Sequence, residues 1–257
     1  MKELFSFAFF PNFEGSINFL AETLAMPEIW DFQSDANKKH QILRNYLEHT
    51  YRRLNYEGKI AFTKSNKHVC FNTGLVTSNY ESIYAYFEKY AKPRKDQTSN
   101  YCFKGFKKRS DSILILHFSD SLPDRANYFN EPELLIFDPK KQIIADLDHI
   151  IGDNIDRFPS HLKSADSSEL RRQLHGAIEE VKRKVTINYK IAVPHLYRNG
   201  IQLLLPLCLT AGSPNPDLAL VINKVGNTYS ARTCLTLRMA YQNARLIVQP
   251  QSEWLAP

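Results

Sequence analysis

Residues 218–237 read LALVINKVGNTYSARTCLTL, two apolar runs on either side of Gly226-Asn227. A glycine beside an asparagine supplies the positive φ angles of a tight hairpin turn. Leu218 to Val225 and Tyr229 to Leu237 are therefore expected as paired antiparallel strands. Just upstream, Ile201 to Leu209 is apolar at nearly every position, the pattern of a strand covered on both faces. Downstream, Met239 to Ile247 fits a closing helix that carries Tyr241, Asn243 and Arg245. The last third of the chain thus reads as the core sheet.

Working back, Asp166 or Ser167 opens the clearest helix. Leu170, Leu174, Ile178, Val181 and Val185 form its apolar stripe, and Lys182, Arg183 and Lys184 sit in its last turns, where cations suit the helix dipole. Between His117 and Asp166 ten carboxylates face five bases, and Pro123, Pro132, Pro139 and Pro159 divide the segment into short elements. Such a segment is expected to lie over a core as a lid or wall. Earlier, Asn37 to Glu57 is helical: Leu43, Tyr46, Leu47, Thr50, Tyr51 and Leu54 recur at spacings of three and four, and Gly58 stands at the C-cap. Lys59 to Thr63 and His68 to Phe71 read as a hairpin, which Asn72-Thr73-Gly74 ends. Ile83 to Phe87 and Tyr101 to Phe106 extend it into a meander. Ser110 or Asp111 caps a short helix, residues 4–10 form a strand or buried arm, and Ser16 caps a helix from Ile17 to Ala25 that Pro27 ends. The fold class is α+β: mainly antiparallel strands at 59–106 and 201–237 with flanking helices near 37–57, 167–187 and 238–247, in a single domain over 1–257.

Composition narrows the function classes. Apolar and aromatic residues make up 43% of the 257 positions, enough for a sizeable core, and the net charge of +6 points toward polyanions rather than acidic substrates. The four cysteines form no C-x-x-C pair and lie in apolar or aromatic runs, which suits buried thiols in a reducing compartment. The N-terminal apolar run stops at Pro11 without a small-residue cleavage site, and no stretch is long enough to span a membrane. A soluble, cytoplasmic protein is the expectation.

The excess charge is concentrated between Tyr80 and Arg109. There, eight lysines and arginines stand against three carboxylates, threaded with eight aromatic rings. Cations for phosphates and flat faces for bases make up a single-strand nucleic-acid surface. On paired strands the rings alternate faces, so only about half of them would be available. The candidate contacts are Tyr101, Phe103, Lys104, Lys107, Lys108 and Arg109. The competing account makes the rings core and the lysines a solvated turn.

No P-loop, dinucleotide fingerprint, H-E-x-x-H, G-x-S-x-G or EF-hand loop is present, and nine glycines leave little for a nucleotide-triphosphate cradle. Asp148, His149 and Asp153 carry donors that suit manganese or zinc, but their spacing matches no metal template. A capped turn with solvent-facing acids also fits, as does His149 acting as a general acid or base while Arg157 steadies a phosphate. His49 lies either in an ion-paired helix row or toward a cleft. Neither a metal nor a cofactor is expected.

Several phrases together resemble the family of the domain of unknown function 3825: LRNYLEHT (43–50), NTGL (72–75), LPDRANYF (122–129), DHIIGDNIDRFP (148–159), IQLLLPLCL (201–209) and MAYQNARL (239–246). The resemblance spans nearly the whole chain and implies association with RNA-related modules such as LOTUS-type winged helices, without implying an activity. On this sequence it selects Arg44, His49, Asn72, Arg125, His149, Asn154, Arg157 and Arg245. Guanidiniums bind phosphate bidentately, and paired histidines can move protons in metal-free phosphodiester chemistry. Pairing of Arg125 and Arg157 with the acids of the middle segment is the plainer alternative. The expected function is RNA or nucleotide binding, coupled to RNA processing. The rivals are a metal-independent phosphodiesterase or nuclease using His49 and His149, and a protein–protein adaptor.

Overall fold

A computed structural model describes residues 3–32, 39–90, 99–197 and 200–256. It is an α+β structure that divides into two compact units, Met1–Asn127 and Tyr128–Pro257, each with its own five-stranded sheet. Both sheets are mostly antiparallel, with one parallel pair at an edge.

In the first unit, α1 (Leu4–Phe7) leads into the two-residue strand β1 (Ala8–Phe9), where sequence reading expects a strand or arm throughout. α2 (Phe13–Phe19) follows and continues as a π-turn over Leu20–Leu24. Its cap is Asn12, whose side chain accepts from Gly15 N–H at 3.0 Å, rather than Ser16, whose hydroxyl donates back to the Asn12 carbonyl. The long α3 (Gln41–Tyr56) ends at Gly58, where φ is +67°. Part of its expected first turn lies outside the described residues.

The strands β2 (Ala61–Phe62), β3 (His68–Val76), β4 (Ser82–Lys89) and β5 (Tyr101–Lys108) form the expected meander, followed by α4 (Ser112–Phe118). β1 adds in parallel to the first residues of β5, pairing Ala8 with Tyr101 and Phe9 with Cys102. Asn72-Thr73-Gly74 does not end β3. The ladder is irregular between Asn72 and Val76, and the strand resumes opposite Ser82. Gly74 absorbs the distortion at φ +77°, close beside the Tyr46 hydroxyl.

Alternation along these strands gives two apolar faces, and both are covered. Phe71 and Phe87 stack on each other with centroids 5.7 Å apart, and Tyr51 of α3 packs on Phe71. Phe7 and Phe10 close the same face over Phe87 and Phe103. On the opposite face Leu114 and Phe118 of α4 seal Cys70, Tyr84 and Tyr86.

The second unit begins with elements that the acidic composition concealed. β6 (Gln142–Ala145) runs parallel to the last strand, and α5 (Leu147–Asn154) is capped by Asp146, which accepts from His149 N–H. The short α6 (Ser160–Lys163) precedes α7 (Ser167–Ile187), capped by Asp166 as its sequence indicates. Then come β7 (Val193–Tyr197), β8 (Gly200–Leu207), β9 (Leu218–Val225), β10 (Thr228–Leu235) and α8 (Leu237–Arg245). The hairpin turns at Gly226, φ +56°. The apolar stripe of α7 packs with Leu203, Leu205, Leu207, Leu218, Leu220 and Ile222 in one core. α8 packs against β7, β9 and β10, and the five consecutive residues 203–207 of β8 are buried, as their uniform hydrophobicity requires.

Candidate functional site

The cation-rich end of β5 is the feature of the first unit most like a ligand surface. β4 pairs with β5 from Ile83–Lys108 to Lys89–Tyr101, with a bulge at Lys104 and Gly105, where φ is +125°. The register places Lys107 opposite Tyr84 and Lys108 opposite Ile83, and Arg109 leaves the strand exposed. β1 covers only Tyr101 and Cys102, so among the described residues the rest of β5 is a sheet edge. Lys104 lies 3.6 Å from Glu88 Oε2, a distance of weak, half-exposed pairing. Among the described residues, Lys107, Lys108 and Arg109 form no ion pair. Lys92, Arg94 and Lys95 of the basic loop fall outside the described residues.

The aromatic half of the expectation needs correction. Tyr101 is 9% exposed and Phe103 5%. Their rings stack inward, Tyr101 on Phe7 at 5.0 Å and Phe103 on Phe10 at 4.8 Å, and are spent on the core rather than offered to bases. The N-terminal segment, which composition did not place over the sheet, is what covers them. Of the rings in this stretch, Tyr80 stands well out, in a turn with φ +61°.

The remaining first-unit positions have separate structural partners. Arg44, nearly buried, grips both carboxylate oxygens of the exposed Glu14, donates Nε to the Lys39 carbonyl at 2.9 Å and lies over the Phe13 ring. Its guanidinium is thereby committed within the protein. Asn72 Oδ1 accepts from Gly74 N–H at 2.9 Å and shapes the irregular stretch of β3. Burial, followed by the charges of Arg52 and Arg53, lowers His49 to about 4, so its imidazole is neutral at physiological pH. Arg125 exposes its side chain while its carbonyl accepts from Lys59 Nζ at 3.2 Å. Beside it, Asn127 is held at the end of α3: its N–H donates to Glu57, and its carbonyl accepts from Arg53 at 2.8 Å.

In the second unit, Asn154 and Arg157 come together. Asn154 is 3% exposed. Its Oδ1 accepts from Arg157 Nη1 and from Thr233 Oγ1 at 2.7 Å, while its Nδ2 donates to the His149 carbonyl at 3.3 Å. Arg157 Nη1 also reaches Thr233 Oγ1 at 3.0 Å and the Cys234 carbonyl at 2.5 Å. This network ties the end of α5 to β10, and Arg157 pairs with no acid of the middle segment among the described residues. Thr233 is the member that sequence reading missed; no spacing rule links it to a motif 79 residues away. His149 Nδ1 pairs with Asp153 Oδ2 at 2.8 Å one helical turn on, and Asp148 pairs with Arg171. No cluster of three metal-ligating side chains occurs among the described residues. Arg245 is buried on α8. A cleft of about 480 Å³ lined by Lys184, Asn188, Cys208 and Trp254 includes none of the expected positions.

The chain is thus an α+β protein with two sheet-centred units, a cationic sheet edge in the first and a buried polar latch in the second. It belongs to the family defined by the domain of unknown function DUF3825, whose model matches residues 21–254 across both units. No curated protein and no solved structure matches it significantly. Among the described residues no helix is long and apolar enough to cross a membrane.

Proposed function

We propose that the chain binds RNA through phosphate contacts along the second half of β5. The observation that carries this reading is the run Lys104, Lys107, Lys108 and Arg109, four cations within six residues, whose one ion pair among the described residues is Lys104 with Glu88 at 3.6 Å, while Lys108 also acts on the Glu81 carboxylate. Cations clustered along an open strand edge suit the charged backbone of a polynucleotide. With Tyr101 and Phe103 turned inward, this mode of binding tracks the backbone and reads bases poorly.

A second reading rests on the same edge. An unpaired strand is a template for association with another sheet, and lysines together with a bulge are a standard defence against it. One set of variants separates the two. With Lys104, Lys107 and Lys108 all changed to Ala, the phosphate reading expects weaker binding of single-stranded RNA. The slope of log K against log salt should fall by about 2, from roughly 0.7 per lost single-strand contact. An unchanged slope together with concentration-dependent association would leave edge protection as the role of these lysines.

A further inference from the structure

The sheet face that α4 partly covers carries a row of polar side chains that the reading of β5 does not use. His68 opens β3 directly opposite Glu88 of β4. Its Nδ1 lies 2.7 Å from Tyr86 Oη, and Tyr86 Oη donates to Glu88 Oε1 at 3.1 Å. An ionised carboxylate only accepts, so the single phenolic hydrogen goes to Glu88. The Tyr86 oxygen must then accept Nδ1–H from His68, which leaves the neutral imidazole with its lone pair on Nε2. His117, near the end of α4, lies flat against His68 with ring centroids 3.7 Å apart and planes 13° from parallel. At the far end of the row, Lys104 approaches the second oxygen of Glu88. The row therefore runs from α4 across β3 and β4 to the cationic strand.

Two imidazoles in face-to-face contact repel when both are charged, so the pair holds one proton more readily than two. The charged and titratable groups around His68 are His117 from α4, Tyr86 and Glu88 from β4, Cys70 from its own strand, and Lys67 beside it. Burial first, then His117 and Lys67, push His68 below its usual value, with Glu88 opposing them. A phosphate group placed here would offset the repulsion and favour the protonated pair.

We infer that His68 and His117 form a proton-linked phosphate contact at the end of the β5 surface, so that RNA binding takes up a proton. This rests on the reading of β5 as a nucleic-acid surface. The test is fluorescence anisotropy of a labelled single-stranded RNA at fixed salt between about pH 7.5 and 5.5, on the wild type and on His117→Gln. Uptake of one proton strengthens wild-type binding by up to about tenfold per pH unit near the pair's titration, and His117→Gln flattens that dependence. The salt slope contributed by Lys107 and Lys108 should survive in the variant. Should His117→Gln misfold, the imidazole C2–H resonances of the wild-type protein serve instead, and added RNA should raise the titration midpoint of His68. Equal pH dependence in wild type and variant, or unmoved resonances in RNA-saturated protein, overturns the inference and leaves the β5 reading standing. Absence of RNA binding at every pH, even at low salt, overturns both.

Discussion

Replacing Asn154 by alanine removes one buried side chain and leaves three polar groups to find new partners. Arg157 loses a charge-assisted bond, Thr233 loses the acceptor of its hydroxyl at 2.7 Å, and the His149 carbonyl loses the amide donor at 3.3 Å. A bond to a charged group contributes roughly 1.5–3 kcal/mol and each neutral one about 1, so the loss should be about 3–5 kcal/mol. Asn154→Asp keeps the acceptor for Arg157 and Thr233 and gives the guanidinium an ion-pair partner. It should therefore recover more than half of that loss. Urea unfolding followed by Trp254 fluorescence reports on this unit, because Trp254 is anchored there through Nε1 to the Ile191 carbonyl. A Trp30→Phe background leaves Trp254 as the one tryptophan of the chain. A loss below about 1 kcal/mol for Asn154→Ala, or an aspartate worse than the alanine, would show that the latch does not hold α5 on β10.

Two further outcomes follow, one from a buried imidazole and one from a glycine with positive φ. His195 is 1% exposed on β7, neither ring nitrogen has a hydrogen-bond partner among the described residues, and burial lowers its pKa from 6.5 to about 4. Between those values the unfolded chain binds the proton and the folded one does not. Stability should therefore fall as pH drops from about 6.5 to 4, by on the order of 3 kcal/mol from this residue. Urea midpoints of His195→Leu should fall less steeply over that range, with a remainder from His49; an unchanged slope would mean that the ring protonates in place. Gly74→Ala combines a positive φ with a Cβ driven into the Tyr46 hydroxyl, which itself donates to the Thr73 carbonyl at 2.8 Å. A loss above about 2 kcal/mol in thermal or urea unfolding is expected, partly recovered by adding Tyr46→Phe; a neutral Gly74→Ala would refute the steric account.

The parts of the fold that sequence displayed are those where periodicity and punctuation agree. α7 has its Asp166 cap and a regular apolar stripe, α3 runs into Gly58, and β9 and β10 meet at Gly226-Asn227. β6 and α5 were hidden because their segment is acidic and proline-broken, and β6 is a short strand with alternate residues exposed. β7 was hidden by Pro194 within its five residues. Gly74 misled in the other direction, reading as a strand end where the ladder only distorts. For the candidate site, composition gave the cations of β5 but not the orientation of its rings, because the segment that buries Tyr101 and Phe103 lies some ninety residues earlier. His68 and Glu88 were visible as individual residues. Their juxtaposition needed the register of β3 on β4, which no local pattern specifies.

Parallel edge pairing sets an order of events during synthesis. Gln142 of β6 pairs with Thr228 of β10, so the earlier strand leaves the ribosome 86 residues before its neighbour exists. At roughly 5–20 residues per second that is a wait of about 4–17 s, far longer than a hairpin needs to close. The local hairpins β7–β8 and β9–β10 can form as soon as they emerge, and β6 joins a sheet already assembled. The unpaired β6 is therefore where nascent chains of this protein would capture one another, and slowing translation after Ala145 should lengthen that window without altering the finished fold.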